Sequence, residues 1–183
     1  TPPPPQNKRH MPPPGTVYAE RRKKRGGAGG NEALSLLVRN PALARAFLGF
    51  NRHLLYENTI DIRTRELAVL RVSWVLRSPY EWGQHVLVAE EAGITADEIE
   101  RCRGEVDAPG WDAHDAALMR AVDDLLGGGD IDDEAWAVLH DRWGDEGMLD
   151  LVFTVGGYAT LGMVFNAARL PLDGGMRGVP EEG

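Results

Sequence analysis

Thiol is what this chain has least of. Among 183 residues there is one cysteine, Cys102, so neither an internal disulfide nor a dithiol redox centre can form. That scarcity fits a reducing compartment. The proline-rich start also lacks the apolar stretch of a secretory signal, and a cytoplasmic location is expected. Strand-like alternation of useful length is missing too, which excludes the strand followed by a glycine-rich loop that cradles nucleotide phosphates.

Positive charge is scarce outside one end. The net charge of −8 divides into +6 over residues 1–30 and −14 over the remainder. A phosphate backbone needs a basic surface, so nucleic acid is not an expected partner. The run Arg21-Arg22-Lys23-Lys24-Arg25 reads as a solvated leader ahead of Gly26-Gly27-Ala28-Gly29-Gly30. Seven of the twelve prolines fall within the first fourteen residues, a composition that favours extended conformers and builds no core. Residues 1–30 are therefore read as a leader. Within it, His10-Met11 looks like a cloning junction, so residues 1–10 are expected to be vector-derived and Met11 the native start. Residues 31–173 make up the expected domain and 174–183 a C-terminal tail.

What remains is helical in pattern, and the class expected is all-α, a helical bundle. Asn40-Pro41 reads as an N-cap with proline at the first helical position. It opens a helix to about Tyr56 whose buried side would carry Leu43, Phe47, Leu48, Leu54 and Leu55. Arg63 to about Arg77 is apolar nearly all round, which predicts a central place. Ser78-Pro79-Tyr80-Glu81 opens the next helix, with Gly93 at its left-handed C-cap followed by Ile94. Thr95 to Glu98 has the capping-box spacing. A helix from Asp112 to about Leu126 ends at Gly127-Gly128-Gly129. Asp132 to Trp143 should form another, with Trp136 and Leu139 inward. From Asp150 to Arg169 lie 18 residues without formal charge, the lower limit of a membrane span. Thr154, three glycines and Asn166 dilute this stretch, and no basic flank or aromatic belt accompanies it. A helix buried at the bundle centre or in an oligomer interface is expected, with no membrane partner.

Two carboxylates and an imidazole stand out: Glu66, Glu81 and His85. Such a trio suits proton transfer, because carboxylates can hold and tune an imidazole that titrates near neutrality. Positions 78, 81 and 85 share one helical face. His85 lies one turn after Glu81, within reach of an ionic hydrogen bond that would raise its pKa. For Ser78 and Glu81 a second reading stays open, since Ser-x-x-Glu is itself a capping box. Glu66, on an apolar helix, must either ion-pair, with Arg63 or Arg65 for instance, or hold an elevated pKa. Trp74, Tyr80, Trp82, His53 and Tyr158 are candidates to line a substrate pocket, and Asn166 is grouped with Tyr158. The spacing matches neither Glu-x-x-His nor His-Glu-x-x-His, so no metal is expected, nor any cofactor.

The spacing from Glu66 through 78 and 81 to His85 is similar to the E-x11-C-x2-C-x3-H signature of alkyl hydroperoxidase D-like proteins, within the carboxymuconolactone decarboxylase superfamily. Ser78 and Glu81 replace both cysteines. The chain thus resembles the branch without the cysteine pair, whose decarboxylases carry Glu-x3-His, matched by Glu81 and His85. Arg65 to Arg71, Ala92-Gly93-Ile94-Thr95 and the helix around Tyr158 extend the likeness over residues 31–173.

This resemblance implies a helical bundle that assembles as a homo-oligomer, a trimer or hexamer. It implies acid–base chemistry on a small carboxylate, lactone or carbonyl compound, whether decarboxylation, isomerisation, dehydration or cyclisation. In that scheme His85 shuttles the proton, Glu81 orients it, and Glu66 polarises or protonates an enolate. The cysteine pattern excludes a thiol peroxidase of this type. The competing expectation is a redox-dead homologue kept as a binding or scaffold subunit.

Overall fold

The computed structural model describes residues 32–179, and the leader expected over residues 1–30 lies outside them. Among the described residues seven helices follow one another: α1 Glu32–Leu37, α2 Pro41–Arg52, α3 Ile62–Val75, α4 Pro79–Glu91, α5 Ala96–Arg101, α6 Ala113–Gly127 and α7 Asp133–Ala167. A π-helical turn, His53–Glu57, prolongs α2. Among the described residues there is no strand beyond one isolated bridge between Pro109 and Trp111.

Local chemistry sets most of the ends. The Asn40 side chain accepts from the Leu43 amide, with Pro41 at the first position of α2. Thr95 and Glu98 complete a reciprocal capping box at α5. Asp61, Asp112 and Asp132 cap α3, α6 and α7 through their side chains. Behind α4, Gly93 takes φ +84, and the amides of Gly93 and Ile94 reach back to Glu90 and Ala89. Ile94 is buried, as the Schellman arrangement requires.

α3 is the central rod. Ten consecutive residues, Thr64 to Ser73, are buried, and α4, α6 and α7 pack around them. The polar members of that run pair internally. Arg71, for example, binds Asp123 through two contacts of 2.6 Å and the carbonyls of Cys102 and Gly104.

Three expectations about inward faces fail. Leu43 and Leu48 of α2 and Trp136 of α7 are largely exposed, because the sides that meet the core are those carrying Ala44, Leu54, Ala135 and Leu139. At Gly144 the backbone leaves helical geometry, with φ 62 and ψ −170, so α7 is two helices joined at a kink where the sequence places a turn.

The second half of α7 supplies Leu151, Thr154, Val155, Tyr158, Leu161, Gly162 and Phe165 to the core. It is long and apolar enough to cross a membrane by length and composition, and 61% of its apolar window is buried in the bundle, as in a core helix. Its other side leaves Leu149, Phe153 and Met163 more than half exposed.

Residues beyond α7 return along α4. Asp173 accepts from Tyr80 Oη at 2.8 Å, from Gln84 Nε2 at 2.9 Å and from the Glu32 amide at 3.3 Å. A Cβ at Gly83 would stand 2.6 Å from the Arg177 carbonyl. Thus part of the expected tail, residues 174–179, is packed as a strap over α4, while 180–183 lie outside the described residues.

Candidate active site

Two helices that meet in the core bring the trio together. Glu66 stands in the buried run of α3, and Glu81 and His85 stand one turn apart on α4. All three side chains are withdrawn from solvent, with Glu66 fully so. The contacts differ from what local spacing predicts. Nδ1 of His85 lies 2.6 Å from Glu66 Oε2, whereas Nε2 lies 3.6 Å from Glu81 Oε2, beyond hydrogen-bond distance. The carboxylate that holds the ring therefore comes from the neighbouring helix. Glu66 fixes Nδ1 as the hydrogen-bonded nitrogen and leaves Nε2 facing Glu81.

Glu66 is itself held. Arg65 donates to its Oε1 from Nη2 at 2.9 Å and from Nε at 3.1 Å. Nη1 of the same guanidinium reaches the carbonyls of Leu54 and Leu55, at 3.2 and 2.9 Å, in the π-helical turn. Burial alone would push the Glu66 carboxyl up, but His85 and Arg65 outweigh it and hold the pKa below the usual range. Of the two readings of Glu66, ion pairing is the one observed.

For His85, burial opposes the charged ring, yet Glu66 and Glu81 outweigh burial and raise its pKa. Glu81 has no such support. Burial dominates, His85 offsets part of it, and Glu66 adds to it, so the carboxyl is pushed up to about 7.

No capping box forms at α4. Ser78 occupies the N-cap position, but its side chain makes no cap hydrogen bond. Ser78 Oγ and Glu81 Oε1 are both buried without a partner. Leaving such atoms unsatisfied costs on the order of 1–3 kcal/mol each, so the helix-start explanation of these two residues fails.

The other candidates divide. Tyr158 of α7 closes the site, its ring edge-on to His85 with centroids 4.9 Å apart. Trp82 is buried beside Trp74, centroids 6.0 Å apart. Trp74 is half-buried under the guanidinium groups of Arg77 and Arg103. Tyr80 is committed to the strap through Asp173. His53 pairs with Asp150 at 2.6 Å, in a separate cluster where Asp150 also accepts from the amide and hydroxyl of Thr59. Asn166, grouped with Tyr158 in the sequence, instead donates to the Leu76 carbonyl at 2.9 Å. Three contributors carry no sequence signal of their own. The Leu54 and Leu55 carbonyls serve through the backbone, and Gly162 of α7 faces Ser78 with no side chain at all.

Cys102 is fully buried and its thiol is pushed up to about 12, chiefly by burial. A thiolate is the reactive form, so this residue offers no peroxide chemistry.

Residues 41–124 match the model of the carboxymuconolactone decarboxylase family. The fold is similar to that of an Agrobacterium tumefaciens protein of unknown function assigned provisionally to antioxidant defence as AhpD. That match has 18% identity and a TM-score of 0.65, covering 79% of this chain and 94% of the other. It is also similar to an uncharacterised peroxidase-related protein from Silicibacter sp. TM1040, with 17% identity and a TM-score of 0.71, covering 87% of this chain and 83% of that one. No curated protein matches the chain. The resemblance read from the sequence is thus met by the family model over residues 41–124, which contain the trio, and by the fold, and the cysteine pair is absent from this chain.

Proposed function

We propose that this chain, with its carboxymuconolactone decarboxylase family segment over residues 41–124, is an acid–base enzyme acting on a small carboxylate, lactone or carbonyl compound. One observation carries the reading: a buried imidazole is held at Nδ1 by a charge-paired carboxylate, while its Nε2 faces a second carboxyl whose other oxygen has no hydrogen-bond partner. A general acid or base works best when its pKa lies near the operating pH. Glu81, pushed up to about 7, meets that condition, whereas Glu66, held low by His85 and Arg65 against its burial, does not.

The roles follow from the contacts. Glu66 orients His85 and stabilises its charged form. His85 and Glu81 exchange the proton with substrate. This reassigns the orienting task from Glu81, as local spacing suggests, to Glu66. Loss of carbon dioxide from a substrate leaves a carbanion that needs nearby positive charge and then a proton, and the His85–Glu81 pair supplies both. Decarboxylation leads the candidate reactions, with isomerisation, dehydration and cyclisation served by the same transfer. The exposed Leu149, Phe153 and Met163 of α7 support assembly of several copies of the chain, a trimer or hexamer.

Carbon dioxide release from a panel of small lactone acids tests this reading. Turnover is expected of the wild type, with a loss of at least a hundredfold in both His85→Ala and Glu81→Gln, in keeping with removal of a general acid or base. Unchanged turnover in both variants would leave the binding or scaffold role as the better account.

A further inference from the structure

The π-helical turn ends where Asp150 of α7 takes its next amide. In a continued helix the Thr59 amide would serve the carbonyl of Leu54 or Leu55. It donates instead to Asp150 Oδ2 at 2.6 Å, and the Thr59 hydroxyl joins it on the same oxygen at 2.7 Å. The following amide, that of Ile60, turns to Asn58 Oδ1 at 2.9 Å. Carbonyls at the end of the turn are thereby left for a donor from elsewhere. Arg65 of α3 supplies it, with Nη1 reaching both Leu54 and Leu55. The other nitrogens of that guanidinium hold Glu66, which holds His85.

One stripe of α7 pins the turn and the site together. Asp150, Thr154 and Tyr158 recur at helical spacing and share a face. Asp150 Oδ1 lies 2.6 Å from His53 Nε2 at the start of the turn, Thr154 accepts from Asn58 Nδ2 at 3.0 Å beyond its end, and Tyr158 sets its ring against His85. Gly157 lets the turn lie close, since a Cβ there would stand 2.9 Å from Leu54 Cδ1 and 3.0 Å from Phe50 Cε1. The Asp150 side chain is buried, whereas the His53 ring is 43% exposed. Glu57, itself paired with Arg52, stands 3.8 Å from His53 Nδ1.

We propose that Asp150 and His53 are positioning residues for His85, acting through the π-helical turn, the guanidinium of Arg65 and the carboxylate of Glu66. This role rests on the acid–base reading of His85 and Glu81 and extends it to a cluster outside the site. Asp150 sets where the turn ends, and His53 fixes the start of the turn on the same carboxylate. Together they aim the Leu54 and Leu55 carbonyls at Arg65 Nη1, which turns the rest of the planar guanidinium toward Glu66. Coupling between separate places in a fold is carried by packed and hydrogen-bonded contacts. Here every link is a hydrogen bond or the backbone of the turn itself. A small displacement at the far end suffices, because proton transfer depends steeply on the placement of the reacting groups.

Proton–nitrogen NMR of the His85 ring in the full chain, together with turnover of small lactone acids, tests the relay. In the wild type the Nδ1 proton shared with Glu66 should give a separate downfield resonance. The ring should titrate above the ordinary imidazole value, because Glu66 and Glu81 outweigh the burial that opposes its charge. Asp150→Asn and His53→Leu, with the fold intact by circular dichroism, should each broaden or lose that resonance and lower the midpoint. Both should slow turnover about ten- to a hundredfold, in kcat rather than KM. His53→Gln, whose Nε2 reaches Asp150 as the imidazole Nε2 does, should keep the wild-type resonance and rate. His53→Asn, one methylene shorter, should behave as His53→Leu. Should Asp150→Asn fail to fold, the three variants at half-exposed His53 decide alone. An unaltered His85 resonance in His53→Leu, or His53→Gln as impaired as His53→Leu, would overturn the relay. So would a loss in His53→Leu that adds in full to that of Arg65→Lys, since residues acting through one guanidinium are not additive. The resonance is read without turnover, so its outcome is separable from that of the acid–base reading, which the turnover of His85→Ala and Glu81→Gln decides.

Discussion

Glu66 Oε2 meets His85 Nδ1 at 2.6 Å, across two helices and nineteen residues of sequence. The pair is buried and completed by Arg65, so it combines three ionisable groups in a space without solvent. Glu66→Gln keeps the shape and removes the charge that Arg65 and His85 need. Breaking a buried pair from one side costs about 3–5 kcal/mol, and denaturant unfolding of this variant should show a loss of that order.

Stability should respond to pH in a way Glu81 dominates. Its carboxyl is raised to about 7, chiefly by burial, from the ordinary 4.5. Between those values the folded state keeps a proton that the unfolded state has released, so stability falls as pH rises through that window. His85, also raised, contributes in the same direction: its stabilisation is present at low pH and lost as pH rises through its folded pKa. Glu66, lowered because His85 and Arg65 outweigh its burial, acts oppositely, and its contribution is lost below the ordinary carboxylate range. Relative to wild type, Glu81→Gln should show a shallower decline in unfolding free energy from pH 5 to pH 8. The difference at pH 8 should be on the order of 1–3 kcal/mol in favour of the variant.

The single thiol should be inert. With Cys102 fully buried and its pKa raised to about 12 by burial, a thiol-disulfide reagent should label it only after denaturation. Peroxide reduction should be absent, and a thiol-dependent rate lost in Cys102→Ser would contradict the assignment.

The strap makes its own prediction. Alanine at Gly83 would place a Cβ 2.6 Å from the Arg177 carbonyl, so Gly83→Ala should displace residues 174–179 and speed their proteolysis. Tyr80→Phe removes the 2.8 Å bond to Asp173 and should do the same more weakly, at about 1.5–3 kcal/mol for a hydrogen bond to a charged group.

Signals that act within a few residues are legible in the sequence. Asn40-Pro41, Thr95 with Glu98, and Gly93 all mark helix ends where the residues say they should be. The apolar residues spread nearly all round α3 likewise announce its central place. Which side of α2 faces inward is not legible, because Leu43 and Ala44 are both apolar and only the position of α7 decides between them. Spacing picks out the trio itself but not its internal pairing. An i to i+4 relation puts Glu81 on His85, and the contact between α3 and α4 puts Glu66 there instead. The strap leaves no trace in the pattern because Asp173 acts on Tyr80 and Gln84 across about ninety residues, a separation at which periodicity carries no signal.

The central claim is that His85 and Glu81 move a proton to and from carbon. Deuterium incorporation from heavy water next to the carbonyl of small lactone acids, followed by proton NMR, measures that step without requiring full turnover. Enzyme-dependent exchange is predicted, with a pH profile that breaks near 7. It should be lost in His85→Ala and reduced at least a hundredfold, with the break removed, in Glu81→Gln. Exchange that persists unaltered in both variants would contradict the claim.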